Sequence, residues 1–164
     1  MQRALALALG HADTPTAARS PPMTSTTPLL GPVIALVAWT LVMWLWMYAT
    51  RIPAIRAARM RLDPNAPRGE QMSTLPARVR WKADNYNHLM EQPTIFYAIV
   101  LALALLGDQS PLSLAMAWSY VVLRVVHSLV QALVNKIEVR FALFALSTLP
   151  LFVLTWQAVW VAWG

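Results

Sequence analysis

The chain has no cysteine, which excludes disulfides, thiolate metal sites and a cysteine nucleophile of its own, so any thiol chemistry must use a ligand's thiol. Charge is also scarce: Asp, Glu, Lys and Arg make up 12% of the 164 residues, against 58% hydrophobic. With a mean hydropathy of +0.50, the chain is too apolar for an ordinary soluble domain and reads as one membrane-embedded unit. There are only five glycines and no phosphate-binding glycine motif. The apolar runs also lack the period-two alternation of a membrane barrel, so strands are not expected.

The net charge of +6 raises nucleic acid as a partner, but eight of the 13 basic residues fall between Arg51 and Lys82, between two apolar runs. Juxtamembrane placement explains them better, and no nucleic-acid partner is expected.

Four runs approach the roughly 20 residues that cross a bilayer core. They are Leu29–Tyr48, a second from near Asp84 to Leu106, Pro111–Val134 and Phe141–Trp163. The fold class is therefore all-α, an integral membrane four-helix bundle, with the spanning domain over 29–163. Trp44, Trp46 and Tyr48 close the first run, and Trp156, Trp160 and Trp163 close the fourth, as interfacial belts. Residues 1–28 read as an extension, a Pro/Thr/Ser/Ala-rich stretch with a short apolar run before it, in which Met23 is the expected natural start. The 51–82 loop and the 135–140 turn carry the basic residues and the 107–110 turn carries none. By the positive-inside rule the first and third loops are cytoplasmic and both termini lie outside. Pro53, Pro64, Pro67, Gly69 and Pro76 argue against one continuous helix in the first loop.

The informative stretch is Leu123–Arg140, LRVVHSLVQALVNKIEVR, which sets Arg124, His127, Gln131 and Asn135 in an otherwise apolar segment. Ionisable groups at membrane depth cost roughly 2.5 kcal/mol or more, so they face a bundle interior, a cavity or a partner. In the second span Asp84, Asn87, His88 and Glu91 share one broad helix face. Glu91 sits seven residues in, about 10 Å deep at 1.5 Å per residue, and His127 on the antiparallel third span is at similar depth. A Glu91–Arg124 or Glu91–His127 pair is expected to compensate the charges. Pro93 cannot donate to the Leu89 carbonyl, so the second helix can bend beside Glu91. A buried ion pair would need only two groups. Convergence of Asn87, Glu91, Arg124, His127, Gln131 and Asn135 on one membrane half instead indicates a wet cavity. His88, Glu91 and His127 supply too few acids for a metal centre, and no metal site is expected.

These residues resemble the membrane-associated proteins in eicosanoid and glutathione metabolism, the MAPEG family. The match lies in the four spans, the basic first loop, the Asn/Glu/Pro cluster of DNYNHLMEQPTIFYA, which looks like the bacterial branch, and R-x-x-H followed by an arginine. Arg124, His127 and Arg140 are spaced as in the prostaglandin-E-forming members. The resemblance covers about residues 29–163. It implies a homotrimer in a bacterial inner membrane, with glutathione held between neighbouring subunits. Arg51, Asn87, Glu91, Arg124, His127 and Arg140 would line that site, with Gln131 where several members have tyrosine. Arg140 would activate the thiol, since a fixed cation favours thiolate.

Two functions follow as expectations. The first is a glutathione-dependent transferase or peroxidase acting on a lipophilic electrophile that enters from the lipid bilayer. The second is a non-catalytic trimeric lipid-binding or scaffold protein in which the same polar cluster is structural. A transporter is disfavoured because the chain shows no inverted repeat.

Overall fold

A computed structural model describes residues 27–164 and contains, among them, only helices, turns and loops. The expected 1–28 extension and the Met23 start lie outside the described residues, apart from Thr27 and Pro28. The helices are α1 (Leu30–Ala57), α2 (Glu70–Ser73), α3 (Ala77–Leu89), α4 (Gln92–Leu105), α5 (Pro111–Leu133) and α6 (Ile137–Trp163). Counting α3 and α4 as one broken span, four are long and apolar enough to cross a membrane, as expected for an integral membrane protein.

Three of the expected spans begin or end differently, for one reason: hydropathy sees where lipid ends and does not see where a helix ends. The 28 residues of α1 extend about 42 Å at 1.5 Å per residue, beyond about 30 Å of hydrocarbon. The helix therefore carries Arg51 and Pro53 past Tyr48. Pro53 costs it one backbone hydrogen bond without ending it. The second span starts at Ala77, directly after Pro76, because Arg78, Arg80 and Lys82 form helix as readily as leucine does. Likewise α6 opens at Ile137, which puts Arg140 in its first turn.

The second span breaks rather than bends. Glu91 adopts φ −93° and ψ −96°, outside helical values, and serves as the N-cap residue of α4, with Pro93 in the first turn. Proline belongs there because its missing N–H would have no partner at that position. The loop between α1 and α3 is tied by a clasp in which Asp63 N–H donates to Gln71 Oε1 at 3.0 Å and Gln71 Nε2 donates to the Asp63 carbonyl at 2.7 Å.

Helix α5 is inverted relative to a soluble helix. Its buried stripe is Ser113, Ala117, Tyr120, Arg124, His127, Ser128 and Gln131, while Leu112, Val122, Val126, Leu129 and Leu133 are exposed. Polar-in, apolar-out is the arrangement that lipid selects. The other wall of the core is apolar: Leu36, Met43, Phe96, Val100, Leu103 and Leu154 are fully buried. Helix α5 packs most extensively on α6, and α1 on α3. The tryptophans expected as belts divide. Trp44, Trp156, Trp160 and Trp163 are exposed, whereas Trp46 lies under Lys82, with Nζ 5.3 Å from its ring centroid. Lys82 Nζ also donates to the carbonyls of Arg78 at 2.7 Å and Ala132 at 3.4 Å, joining α3 to the C-terminal end of α5.

Phe96 stacks on Tyr120 with centroids 4.5 Å apart and the planes at 12°. Phe96→Ala is expected to cost about 3 kcal/mol, whereas Phe152→Ala on the exposed face changes stability little; thermal unfolding in detergent compares them.

Candidate functional site

The site is built on the C-terminal half of α5, the α3–α4 break and the first turn of α6. Arg124 is 2% exposed, and its charge is met without a carboxylate. Its Nε donates to Tyr120 Oη at 3.1 Å. The guanidinium carbon lies 5.5 Å from the Tyr120 ring centroid and 5.4 Å from that of Phe144. Tyr120 Oη in turn donates to Gln92 Oε1 at 3.4 Å, Gln92 Nε2 to Thr148 Oγ1 at 2.9 Å, and Thr148 Oγ1 to the Phe144 carbonyl at 2.9 Å. That chain of hydrogen bonds links α5, α4 and α6. Two aromatic faces and one hydroxyl are how this bundle solvates a cation in lipid.

One turn on, His127 is 4% exposed and its Nε2 lies 3.2 Å from Oε1 of Gln131, itself 1% exposed. His127 Nδ1, Gln131 Nε2 and Arg124 Nη2 are buried with no protein partner. Groups of this kind cost about 1–3 kcal/mol each when left bare, so this half of α5 carries unmet hydrogen-bonding capacity.

The expected Glu91–Arg124 or Glu91–His127 pair is corrected by the structure. Glu91 Oε2 lies 3.0 Å from His88 Nδ1, with the Glu91 side chain 64% exposed. The helix break explains the change: once α3 ends at Leu89, Glu91 no longer continues the face shared by Asn87 and His88. His88 takes the place facing α5 instead, with its ring centroid 6.2 Å from that of His127.

Arg140 is held on two sides. Its Nη1 donates to Asn135 Oδ1 at 2.6 Å and its Nη2 donates toward His88 Nε2 at 3.4 Å. Asn135 reaches it because it ends α5 in the left-handed conformation, φ 57°, with its N–H returning to the Val130 carbonyl at 2.7 Å. Asparagine tolerates this conformation better than most residues and, unlike glycine, brings an acceptor with it.

Two cavities result, divided by α3. One, of about 400 Å³, is lined by His88, His127, Ile137, Arg140, Phe141 and Phe144, a cationic and imidazole wall against an apolar one. The other, of about 370 Å³, includes Arg51, Arg68, Arg80, Asp84 and Asn87 and is polar. Asn87 and His88 are neighbours on α3 and so project about 100° apart, one into each cavity. Within one chain, then, Arg51 and Asn87 are apart from His127 and Arg140, while Glu91, Arg124 and Gln131 line neither cavity. Among the described residues no group of three or more His, Cys, Asp or Glu is placed to hold a metal ion.

Sequence reasoning missed Tyr120, Gln92 and Phe144 and weighed His88 only as a metal ligand. Tyr120 had a signal, since it lies four residues before Arg124 on the same helix face. The others are brought in from separate helices and had none.

Asn135→Gly keeps the left-handed turn and removes the Arg140 partner, whereas Asn135→Ala loses both. Asn135→Ala is expected to be less stable than Asn135→Gly by about 1 kcal/mol in thermal unfolding, and equal stability would show that the turn conformation contributes nothing.

Comparison with curated proteins and with solved structures finds no match. The model of the MAPEG family matches residues 29–160, a stretch that includes all four spans up to Trp160 and every residue of both cavities. With its Arg/His-bearing third span and the arginine that opens its fourth, the chain belongs to the MAPEG family.

Proposed function

We propose that this chain is a membrane-embedded glutathione-dependent transferase or peroxidase acting on a lipophilic electrophile. Family membership supports a lipid-handling function in the membrane. The observation that carries the finer reading is the composition of the half-apolar cavity, where Arg140 and two imidazoles face Ile137, Phe141 and Phe144. A polar nucleophile and an apolar electrophile are thereby offered one space, which is what their reaction needs.

The residues fit glutathione. Arg51, Arg68 and Arg80 form a net cationic cleft suited to the two carboxylates of a tripeptide, since guanidinium forks bind carboxylates in bidentate fashion. His127, which lines the first cavity and whose Nδ1 has no protein partner, would offer a further polar contact. Bound glutathione would supply the nucleophilic sulfur. Arg140 would hold the thiolate, its guanidinium aimed by Asn135. The reading includes a homotrimer, in which Arg51 and Asn87 of one copy would meet His127 and Arg140 of the next, joining cavities that α3 divides in one chain. It also places the protein in a bacterial inner membrane, with the termini outside and the 51–82 loop in the cytoplasm.

The second reading, a non-catalytic trimeric lipid-binding or scaffold protein, is favoured by Arg124. Four of the contacts that secure its neighbourhood are protein-internal and need no ligand. Calorimetry with glutathione on the detergent-purified protein separates the two. Wild type is expected to bind at millimolar concentration or below, and Arg140→Ala to bind at least about tenfold more weakly, the loss of one charged hydrogen bond. Absence of wild-type binding would leave the scaffold reading, and unchanged binding by Arg140→Ala would remove that residue's assignment.

Orientation is testable without background because the chain has no cysteine. A membrane-impermeant maleimide is expected to label Gln109→Cys in intact spheroplasts and Arg61→Cys only after permeabilisation; the reverse pattern would invert the topology.

A further inference from the structure

We propose that His88 is the proton acceptor of this site: Glu91 orients its imidazole, and its Nε2 takes the thiol proton while Arg140 holds the thiolate. The proposal rests on the glutathione reading above and assigns the base that Arg140 cannot be. A guanidinium stays protonated in proteins, so it stabilises an anion but accepts nothing.

The tautomer follows from the partners. Arg140 Nη2 can only donate, so His88 Nε2, 3.4 Å away, presents a lone pair. An ionised carboxylate only accepts, so His88 Nδ1, 3.0 Å from Glu91 Oε2, carries the hydrogen. This sets the basic nitrogen beside Arg140 and the other on a carboxylate that stabilises the imidazolium once it forms. Both His88 and Arg140 line the half-apolar cavity. The groups that face His88 are Glu91 at the α3–α4 break, Arg140 from α6 and the imidazole of His127 from α5. Asp84, one turn earlier on α3, lines the other cavity. His127 is the less suitable base, because its neighbours are Gln131 and the Arg124 charge rather than a carboxylate.

The 3.4 Å contact is long for a hydrogen bond, so a sulfur placed there gives up little in displacing it. His88 Nε2 gains the hydrogen as the S–H bond breaks, and the electron pair stays on sulfur beside Arg140. After the thiolate attacks, His88 returns that proton, to the electrophile in an addition or with the departing anion in a displacement. Glu91 touches no reacting atom and is a positioning residue.

Three measurements on the full chain in nanodiscs test this. First, nitrogen NMR of the histidine rings without ligand, assigned by comparison with His88→Gln, is expected to show His88 as the Nδ1–H tautomer; the Nε2–H tautomer would overturn the proposal. Second, ultraviolet thiolate absorbance and calorimetry in two buffers of different ionisation enthalpy follow glutathione binding. Wild type is expected to form thiolate without releasing a proton to the buffer, and His88→Gln to release one proton for each thiolate formed. Third, with a chloronitrobenzene electrophile, His88→Gln is expected to lose about 100-fold in kcat and Glu91→Gln about tenfold, with glutathione affinity kept in both. Glu91 is exposed, so Glu91→Gln reports on the dyad even if His88→Gln folds poorly. Equal proton release by wild type and His88→Gln would overturn the proposal alone. No glutathione binding by wild type would overturn the functional reading and the proposal with it.

Discussion

A guanidinium in the middle of a membrane span must be solvated by the protein, and the placement of Arg124 organises much of this bundle. Removing it from water without compensation would cost several kcal/mol. Here the compensation is spread over two aromatic faces and a tyrosine hydroxyl, and that hydroxyl is anchored through Gln92 and Thr148 to a carbonyl of α6. Three helices are therefore constrained by one charge. Phe96 completes the arrangement by stacking on Tyr120 from the apolar side of the core.

That constraint frees the other charged groups. Because Arg124 does not need a carboxylate, Glu91 is available at the α3–α4 break, where it pairs with His88 at an exposed position. An exposed pair of this kind contributes little to stability, about 0–1 kcal/mol, so its physical consequence is the orientation of a ring. The break, with Pro93 just after it, takes Glu91 off the face that an unbroken helix would have given it, while Asn87 and His88, neighbours on α3, project about 100° apart. One helix can thereby serve two cavities, one polar and one half apolar.

For a lipid-handling protein the division has a use. The apolar wall of Ile137, Phe141 and Phe144 continues into the exposed apolar surface of α6, where Ile137 and Phe141 are themselves exposed. The cationic wall is fixed from inside by Asn135 and by the short turn that ends α5. Precise placement of Arg140 thus depends on the left-handed backbone of Asn135, five residues before it in the turn between α5 and α6.

The sequence by itself determined the class, the number of spans and the family: runs of apolar residues need no partner information to declare lipid burial, and α5 was placed from Pro111 to within one residue. The shared face of Arg124, His127 and Gln131 was also legible, because a helix makes spacing equivalent to direction. Helix ends outside lipid were not, since Arg51, Arg78 and Lys82 read as loop by hydropathy while favouring helix by propensity. The partners were decided only in three dimensions. Whether Glu91 or His88 faces α5 turns on a break of two residues, and whether Arg124 meets a carboxylate or a tyrosine turns on how α4 and α6 pack around it. Tyr120 and Glu91 are near neighbours in sequence of the groups they meet, but the Gln92, Thr148 and Phe144 contacts that complete the cluster join helices far apart in the chain, which no local pattern encodes.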